Sequence, residues 1–197
     1  MEIRLIQDND YQAVLDLYRP FVLETAISFE YELPSIAEFS ERIRSTWPGY
    51  PFLVCVDGEH VIGYAYAGPY KSRAAYQWSV ESTIYVSQFY HGKGIARILY
   101  NTLFKLLTLQ GYRNVFAGVA IPNPKSEGFH LSSGFVEIGT LMNIGYKLNQ
   151  WQSLKWFQKH LGMHETEPVK PKQMTEMIKT NDFKTIVEEA NQERSFR

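Results

Sequence analysis

The sequence predicts one α/β domain of the α+β kind, with a central, mixed and mostly antiparallel twisted sheet of about seven strands and about four flanking helices. Three observations lead to this class. The predicted elements run β-α-α-β-β-β-α-β-α-β-β along the chain. The central strand is joined to the helix after it by a turn that contains two glycines. The 197 residues suffice for one well-buried domain but not for two full ones.

The first predicted elements are a strand from Ile3 to Ile6 and a helix whose N-cap is Asp8 or Asn9. Pro20 and the segment 25–34 interrupt the helical pattern, and a second helix starts near residue 35 and stops at Trp47-Pro48-Gly49. The apolar faces comprise Ala13, Val14, Leu17 and Tyr18 in the first helix, and Ile36, Phe39 and Ile43 in the second.

A hairpin and the central strand come next. Residues 52–56 and 61–66 are β-branched and aromatic runs joined by Asp57-Gly58, a strong signal for a tight turn. The segment 70–76 has the composition of a loop, and the central strand covers Gln77 to Val86.

The following helix extends from about Gly94 to Gln110, because apolar residues recur every three or four positions, and Gly111 ends it. The next buried strand is 115–121. Two strands connected through a helix are expected to be parallel. After Pro122-Asn123-Pro124, a short helix is predicted to end at Ser133-Gly134-Phe135.

The chain then predicts a hairpin of 136–138 and 144–148, with 151–157 returning through the sheet. We expect the domain to span 1–161 and a C-terminal extension to span 162–197, starting as a proline-containing linker. The extension also carries an apolar stripe at helical spacing, which could dock on the domain, dock on a symmetry mate or fold only weakly. The stripe comprises Phe183, Ile186, Val187 and Ala190.

Composition excludes several classes of protein. The formal net charge of −1 gives no sign of a nucleic-acid or anionic-membrane partner. The single cysteine, Cys55, excludes an internal disulfide, fits a buried core position and favours the cytoplasm as compartment. No apolar run approaches the ~20 residues of a membrane span, and residues 1–4 do not open a signal peptide.

The turn His91-Gly92-Lys93-Gly94 lies where a strand passes into a helix N-terminus. Main-chain N–H groups without helical partners and the helix dipole favour a phosphate or pyrophosphate at such a junction, and glycines allow close approach. A P-loop would need Ser or Thr after Lys93 and a glycine farther upstream. A dinucleotide fingerprint would need three glycines. Neither pattern is present.

The turn resembles the Gln/Arg-x-x-Gly-x-Gly/Ala loop of the GNAT superfamily of N-acetyltransferases, as His91-x-x-Gly94-x-Ala96, with histidine at the first position. The run 68–86, together with Glu24-Thr25 and His130-Leu-Ser-Ser-Gly-Phe135, is similar to the phosphinothricin/methionine sulfoximine acetyltransferase family. The resemblance implies the GNAT fold with a parallel, splayed β4/β5 pair. It also implies transfer of an acetyl group from acetyl-CoA to the α-amine of a small amino acid or analogue, by direct attack in a ternary complex.

The resemblance also implies which residues bind acetyl-CoA. The main-chain N–H near Tyr85 or Val86 would stabilise the oxyanion, and Asn123 would bind the pantetheine arm. The full set of implied cofactor-binding residues is Ile84, Tyr85, Val86, His91, Gly92, Lys93, Gly94, Ile95, Ala96, Arg97, Asn123 and Ser126.

Amine acetylation needs a base for the amine and an acid for the departing thiolate. Glu81, an acid inside the central strand, is the candidate base, directly or through water; the alternative is a structural carboxylate paired with Arg73 or Lys71. His130 is the implied acid, although it could simply pack on the short helix, and Tyr85 is a second candidate.

For the substrate, Lys71 and Arg73 could hold a carboxylate or a phosphinate-like oxyanion. The implied apolar walls are Phe29, Tyr76 and Trp78, with Glu81 at the amine. Metal binding is not expected, because His160 and His164 have metal-pair spacing but no third ligand suggests itself.

Two other functions compete with this hypothesis. One is acetylation of a protein N-terminus or a polyamine, which would require loss of the Lys71/Arg73 clamp. The other is a non-catalytic CoA-binding regulatory module, which the presence of both Glu81 and His130 disfavours. The resemblance also implies a homodimer, and Asn149-Gln-Trp151 with Trp156 offers aromatic surface of the type enriched at interfaces.

Overall fold

The computed structural model describes residues 1–193 as one seven-stranded sheet with helices on both faces. The strand order is β1-β2-β3-β4-β5-β7-β6. The strands are β1 Glu2–Leu5, β2 Phe52–Asp57, β3 His60–Pro69, β4 Ser79–Val86, β5 Asn114–Ile121, β6 Val136–Lys147 and β7 Gln150–His160. The helices are α1 Tyr11–Leu23, α2 Ile36–Thr46, α3 Ile95–Gln110, α4 Pro124–Ser132, α5 Met174–Met177 and α6 Asn181–Gln192. The predicted fold class is therefore confirmed.

The core has two parts, one on each face of the sheet. Along β2, Leu53 and Cys55 join a cluster with α3 and α6, whereas Val54 and Val56 join a cluster with α1 and α2. Because side chains alternate along a strand, a strand that is covered on both faces is apolar throughout. This accounts for the continuous apolar run of β2.

Strands β4 and β5 are parallel, but they pair only over their first residues. The paired residues are Ser79 to Glu81 with Asn114 to Phe116. Beyond Glu81 the two strands separate, while β4 stays paired with β3 and β5 stays paired with β7. The sheet is thus open between the second halves of β4 and β5, which is the splay that the resemblance implies.

Two details of the first helices differ from the predictions. Helix α1 continues through Pro20 to Leu23, because Pro20 lies on the exposed side while Val22 packs in the core. Leu15 is buried in this helix, whereas Ala13 and Leu17 are only half-buried. In α2, Ile36 is the first helical residue and is exposed rather than inward-facing.

The predicted hairpin of 136–138 and 144–148 is wrong. Both segments belong to the single strand β6, which pairs with β7. The register shifts between Glu137 and Gly139 and again between Leu141 and Gly145. The residues Gly139 and Asn143, which resemble turn signals in the sequence, lie at these β-bulges.

The C-terminal extension packs on the domain over its described residues. Helix α6 contacts α3 and β1, with Ala190 buried in the core and Phe183 and Ile186 packed against it. The Asn191 amide accepts from Ile3 N at 2.7 Å and donates to Ile3 O at 3.0 Å. Residues 194–197 of the predicted extension lie outside the described residues. Across residues 1–193, no helix has the length and apolar character that a bilayer crossing requires.

Candidate active site

Two cavities of about 570 Å³ each meet where β4 and β5 separate. The first, which we call the glutamate cavity, contains Glu81; the second, the loop cavity, is bordered by the turn 91–96. Ile84 and Tyr85 of β4 and Asn123 and Ser126 at the start of α4 line both. The two cavities are therefore adjacent at the opening of the sheet.

The loop cavity has the features of an anion site. Gly92 and Gly94 adopt φ of 77° and 75°, which favours glycine, and Gly94 is the N-cap of α3. The first N–H groups of α3 have no partner within the helix. Arg97 and Lys125 also line this cavity, so positive charge faces it. Every residue predicted to hold the cofactor lines it except Lys93, whose ammonium lies 4.5 Å from the centre of the Tyr90 ring.

The histidine at the first position of the loop motif has a structural contact. His91 Nε2 lies 3.0 Å from Val86 O at the end of β4. This bond ties the turn to the strand that it follows. The departure from Gln or Arg thus leaves the main-chain arrangement of the turn intact.

Glu81 is a half-buried carboxylate in the wall of the glutamate cavity. Burial raises its pKa, and the charge of Lys71 opposes this effect in part. Among residues 1–193 no ion pair within 4.0 Å includes Glu81, so the alternative pairing with Arg73 is not formed. A carboxylate with a raised pKa and no fixed partner is suited to accept a proton.

His130 is buried and both of its ring nitrogens are engaged. Nδ1 lies 2.8 Å from Ser126 O, and Nε2 lies 3.1 Å from the hydroxyl of Tyr100. The Tyr100 hydroxyl also lies 3.2 Å from Ser82 Oγ, next to Glu81 on β4. Residues 82, 100, 126 and 130 all line the glutamate cavity. A hydrogen-bonded chain thus runs from β4 through α3 to α4.

The partners assign the tautomer of His130. A carbonyl oxygen only accepts, so Nδ1 carries the proton that is donated to Ser126 O. Burial lowers the pKa of His130, which favours the neutral ring, and Nε2 then accepts from Tyr100. His130 therefore lines the glutamate cavity and also binds the Tyr100 hydroxyl there through Nε2.

Helix α4 forms despite Gly128 because its first turn is anchored twice. The Asn123 side chain accepts from Ser126 N at 3.2 Å and caps the helix. Glu127 accepts from the Lys155 ammonium of β7 at 2.7 Å. These bonds fix the position of His130.

Tyr85 faces an aromatic enclosure. Its ring lies 4.8 to 5.4 Å from the ring centres of Phe21, Tyr18 and Tyr64. Burial raises its pKa well above the usual range for tyrosine. The Tyr85 hydroxyl is thus held protonated.

The predicted substrate residues separate into two groups. Phe29 and Glu81 line the glutamate cavity, and the Phe29 ring packs directly on Gly145, where an added Cβ would lie 2.8 Å from it. The remaining four, Lys71, Arg73, Tyr76 and Trp78, line neither cavity.

Trp78 contacts the C-terminal extension. Its indole N–H donates to Val169 O of the C-terminal extension at 2.9 Å, at the opposite end of β4 from the loop cavity. Lys71 acts on Glu81 only through its charge. The sequence reasoning instead missed Arg42 and Glu30, which line the glutamate cavity, and Tyr100. Arg42 is on an otherwise solvated helix face, so the sequence carried no signal for it.

His160 and His164 share one partner, Asn114 Oδ1, at 3.0 Å each. Within residues 1–193 there is no group of three or more His, Cys, Asp or Glu side chains that could hold a metal ion. The pair therefore links the end of β7 to the extension.

Comparisons with known proteins agree with this architecture. The family described as "Acetyltransferase (GNAT) domain" matches residues 3–156. The phosphinothricin N-acetyltransferase of Streptomyces viridochromogenes is 34% identical over 172 residues, which cover 87% of this chain and 94% of the relative. The L-methionine sulfoximine/L-methionine sulfone acetyltransferase of Salmonella typhimurium is 29% identical, covering 83% and 96%.

Solved structures are similar as well. A GNAT superfamily phosphinothricin acetyltransferase from Sinorhizobium meliloti, in complex with AcCoA, matches with a TM-score of 0.81 and 33% identity over 85% of this chain and 92% of that chain. A ribosomal-protein-alanine N-acetyltransferase from Brucella melitensis matches with a TM-score of 0.76 and 29% identity, over 81% and 99%.

The fold, the open β4/β5 pair and these matches define an acyl-group transferase of the GNAT type. The chain belongs to the GNAT acetyltransferase family and is an N-acetyltransferase. The alternative of a non-catalytic CoA-binding module is therefore wrong.

Proposed function

We propose that the protein transfers an acetyl group from acetyl-CoA to the α-amine of a small amino acid or analogue of the phosphinothricin or methionine sulfoximine type. One observation carries this proposal. The Glu81 carboxylate lies in the wall of a cavity that shares lining residues with the loop cavity at the gap between β4 and β5. Acetyl donor and amine can thus meet at this gap.

The residues present fit acetyl-CoA. The positive φ of Gly92 and Gly94, the N-terminus of α3 and the side chains of Arg97 and Lys125 would hold its phosphates. Asn123 and Ser126, at the junction of the cavities, would hold the pantetheine arm. When bound, acetyl-CoA supplies the activated acetyl thioester.

Glu81 would take the proton from the substrate ammonium, directly or through a water molecule. The neutral amine is the nucleophile, and a carboxylate whose pKa is raised by burial accepts a proton more readily near neutral pH. The main-chain N–H of Tyr85 or Val86, where β4 is free of β5, would stabilise the negative charge on the acetyl oxygen.

Proton delivery to the departing sulfur is assigned to the Tyr100 and His130 pair rather than to Tyr85. The Tyr100 hydroxyl is part of the cavity wall and is hydrogen-bonded to His130 at 3.1 Å. Tyr85 also lines both cavities, but its ring packs against three other aromatic rings and Tyr100 is the tyrosine that contacts His130. Tyr100 would give its hydroxyl proton to the departing sulfur and afterwards take up a proton from solvent, while the neutral His130 ring holds the hydroxyl in place through Nε2.

The second candidate is acetylation of a protein N-terminus, because one similar structure is described as a ribosomal-protein-alanine N-acetyltransferase. A terminal amine also carries an α-carbon and a carbonyl group, and it differs from a free amino acid by lacking the adjacent carboxylate. For a polyamine, the two carboxylates Glu30 and Glu81 in the cavity wall are favourable and the positive charge of Arg42 is unfavourable.

Thiol release distinguishes these candidates. The purified protein is mixed with acetyl-CoA and L-phosphinothricin, L-methionine sulfone, an alanine-initiated peptide or spermidine, and free thiol is followed over time. The proposal expects the fastest release with the two amino-acid analogues. Release with the peptide alone would replace it by the second candidate.

We also propose that the protein is a homodimer. Strand β6 is at the edge of the sheet, and several of its apolar side chains are exposed, including Val136, Met142, Ile144 and Tyr146. Trp151 is 62% exposed, whereas Trp156 is half-buried with its ring edge-on to Tyr70. Light scattering at micromolar concentration should give twice the monomer mass of 22.9 kDa; the monomer mass would contradict the proposal.

A further inference from the structure

Three charged side chains line the glutamate cavity. They are Glu30, Arg42 and Glu81. Within the described chain, Arg42 is the one lysine or arginine in its wall. A zwitterionic amino acid brings one cationic and one anionic group into this cavity, and each needs a partner of opposite charge. Glu81 can take the cationic group, and the structure offers one cation for the anionic group.

Arg42 is held at the cavity by a single ion pair. Its Nη1 lies 2.5 Å from Glu30 Oε1, and the Arg42 side chain is 54% exposed. A guanidinium has five N–H donors in a planar fork. Glu30 occupies one of them, so the remaining edge of the fork is available to a second carboxylate. Such a carboxylate can bind without displacing Glu30.

The segment that carries Glu30 is fixed, so Arg42 has a defined position. Glu30 N donates to Ser28 Oγ at 3.2 Å, and that oxygen lies 2.5 Å from the Tyr18 hydroxyl. Ser28 O accepts from the buried Lys147 ammonium of β6 at 2.6 Å. The ion pair therefore joins α2 to an ordered wall rather than to a free loop.

Glu81 and Arg42 are both in the wall of the glutamate cavity. Burial raises the pKa of the half-buried Tyr66, and the charges of Glu81 and Arg42 act on that pKa in opposite directions. Thr83 and Tyr66 also line the glutamate cavity. The acidic and basic groups thus face a common space of a size suited to a small molecule.

We propose that Arg42 is a specificity-determining residue that binds the carboxylate, or the equivalent acidic group, of the amino-acid substrate while Glu81 faces its ammonium. This inference rests on the proposed function. It assigns to α2 the role that the sequence suggested for Lys71 and Arg73, which line neither cavity. If Arg42 only fastened the loop to α2, its loss would affect every substrate alike.

The experiment compares L-methionine sulfone with its carboxamide, which keeps the amine and side chain but lacks the carboxylate. KM and kcat are measured at saturating acetyl-CoA for wild type, Arg42→Gln, Arg42→Lys, Arg44→Gln and Arg73→Gln. Arg44 is the matched control, because it lies on the same helix with 56% exposure but pairs with Asp8 outside the cavity. Thermal unfolding of each variant reports on folding.

Arg42→Gln should raise KM for L-methionine sulfone by about tenfold to a hundredfold, the range for a lost charge-assisted hydrogen bond. KM for the carboxamide should change by less than about threefold. Arg42→Lys should lie between wild type and Arg42→Gln, because it keeps the charge but not the fork. Arg44→Gln should match wild type with both compounds.

If Arg42→Gln raises KM equally for L-methionine sulfone and for its carboxamide, the inference is overturned and Arg42 is a structural residue. If instead Arg73→Gln raises KM for L-methionine sulfone only, the inference is also overturned, and the assignment made from the sequence is restored. If Arg42→Gln unfolds, Arg42→Lys alone decides, since unchanged KM values would contradict a bidentate contact. Wild-type protein that releases no thiol with either compound would overturn the proposed function itself.

Discussion

The two ends of the β4/β5 pair differ in strand pairing and in the presence of cavities. At the paired end, three residues of each strand are joined, and the extension covers the edge through Trp78 and Val169 and through Arg113 and Glu165 at 2.9 Å. At the separated end, the strands diverge and two cavities enter the sheet.

One pair of strands thus contributes both to the stability of the fold and to ligand binding. Where main-chain groups bond to each other, they stabilise the fold and are closed to ligands. Where the strands separate, the same groups are available to a bound molecule. Substitutions at the separated end should therefore change chemistry more than stability, and those at the closed end the reverse.

The largest effect on chemistry is expected for Glu81→Gln at the separated end. It should lower kcat by about 10² to 10⁴, the usual range for a general base, without changing acetyl-CoA affinity. In wild type, kcat should fall as pH decreases through the pKa of Glu81, which burial raises above its ordinary value of 4.5, because only the carboxylate accepts a proton. This decrease of kcat at low pH should be absent in Glu81→Gln.

The control for this variant is thermal unfolding. Glu81 has no ion pair within 4.0 Å among residues 1–193, so its neutral analogue should keep the melting temperature. A large loss of stability together with an unaltered pH profile would place Glu81 in the scaffold.

Gly94→Ala should weaken acetyl-CoA binding by roughly tenfold, because a Cβ disfavours the left-handed conformation by about 1 to 2 kcal/mol. The φ of Gly94 is 75° and it caps α3 at the loop cavity. Gly111→Ala is the matched control, with φ of 103° at the other end of α3. Calorimetric titration should show weaker binding for Gly94→Ala only, and a larger loss in Lys93→Ala would contradict the main-chain cradle.

Tyr100→Phe should lower kcat by about threefold to tenfold, the value of one hydrogen bond, and shift its dependence on pH. The change removes only the hydroxyl that connects Ser82 to His130. A packing role alone would leave the pH profile of kcat unmoved. Ser82→Ala shortens the same chain at its far end and should have the smaller effect.

Outside both cavities, at the contact between α6 and β1, Asn191→Ala should leave kcat and KM unchanged but lower stability by about 2 kcal/mol, since it removes two hydrogen bonds to the main chain of Ile3. For a chain of this size the melting temperature should fall by roughly 4 to 8 °C. Gln192→Ala, at the exposed neighbouring position of α6, should have little effect on either. Reduced activity in Asn191→Ala without reduced stability would contradict a purely structural role for this contact.

Much of the fold could be predicted because its signals are local. The periodicity of α3, the glycines at its ends and the Asp57-Gly58 turn each specify the backbone within a few residues. The sequence predicts a hairpin in place of β6 because glycine and asparagine occur in β-bulges as well as in turns. The two cases are distinguished only by the pairing with β7. The sequence predicts that Pro20 interrupts the first helix, but the burial of Val22 in the core overrides the helix-breaking preference of proline.

The candidate site could be predicted only in part. The loop cavity depends on consecutive residues, so its lining follows from the motif. The glutamate cavity is assembled from α2, β3, β4, α3, α4 and β7, whose relative placement is a tertiary property. Arg42 therefore looked like an ordinary solvated residue and Tyr100 like one member of an apolar stripe.

Lys147 has a consequence for how this enzyme can diversify. Its buried ammonium donates to Val22 O and Ser28 O at 2.6 Å each, and these acceptors belong to the main chain. Every amino acid supplies a carbonyl oxygen, so these two bonds do not depend on which side chain stands at position 22, in the last turn of α1, or at position 28. They hold the path of the cavity wall in addition to the hydrogen bond between Ser28 and Tyr18, so a lining residue such as Ile27 can vary without loss of these bonds. Substitutions in this segment can therefore change which amine substrate fits the cavity while the main chain of its wall keeps its position.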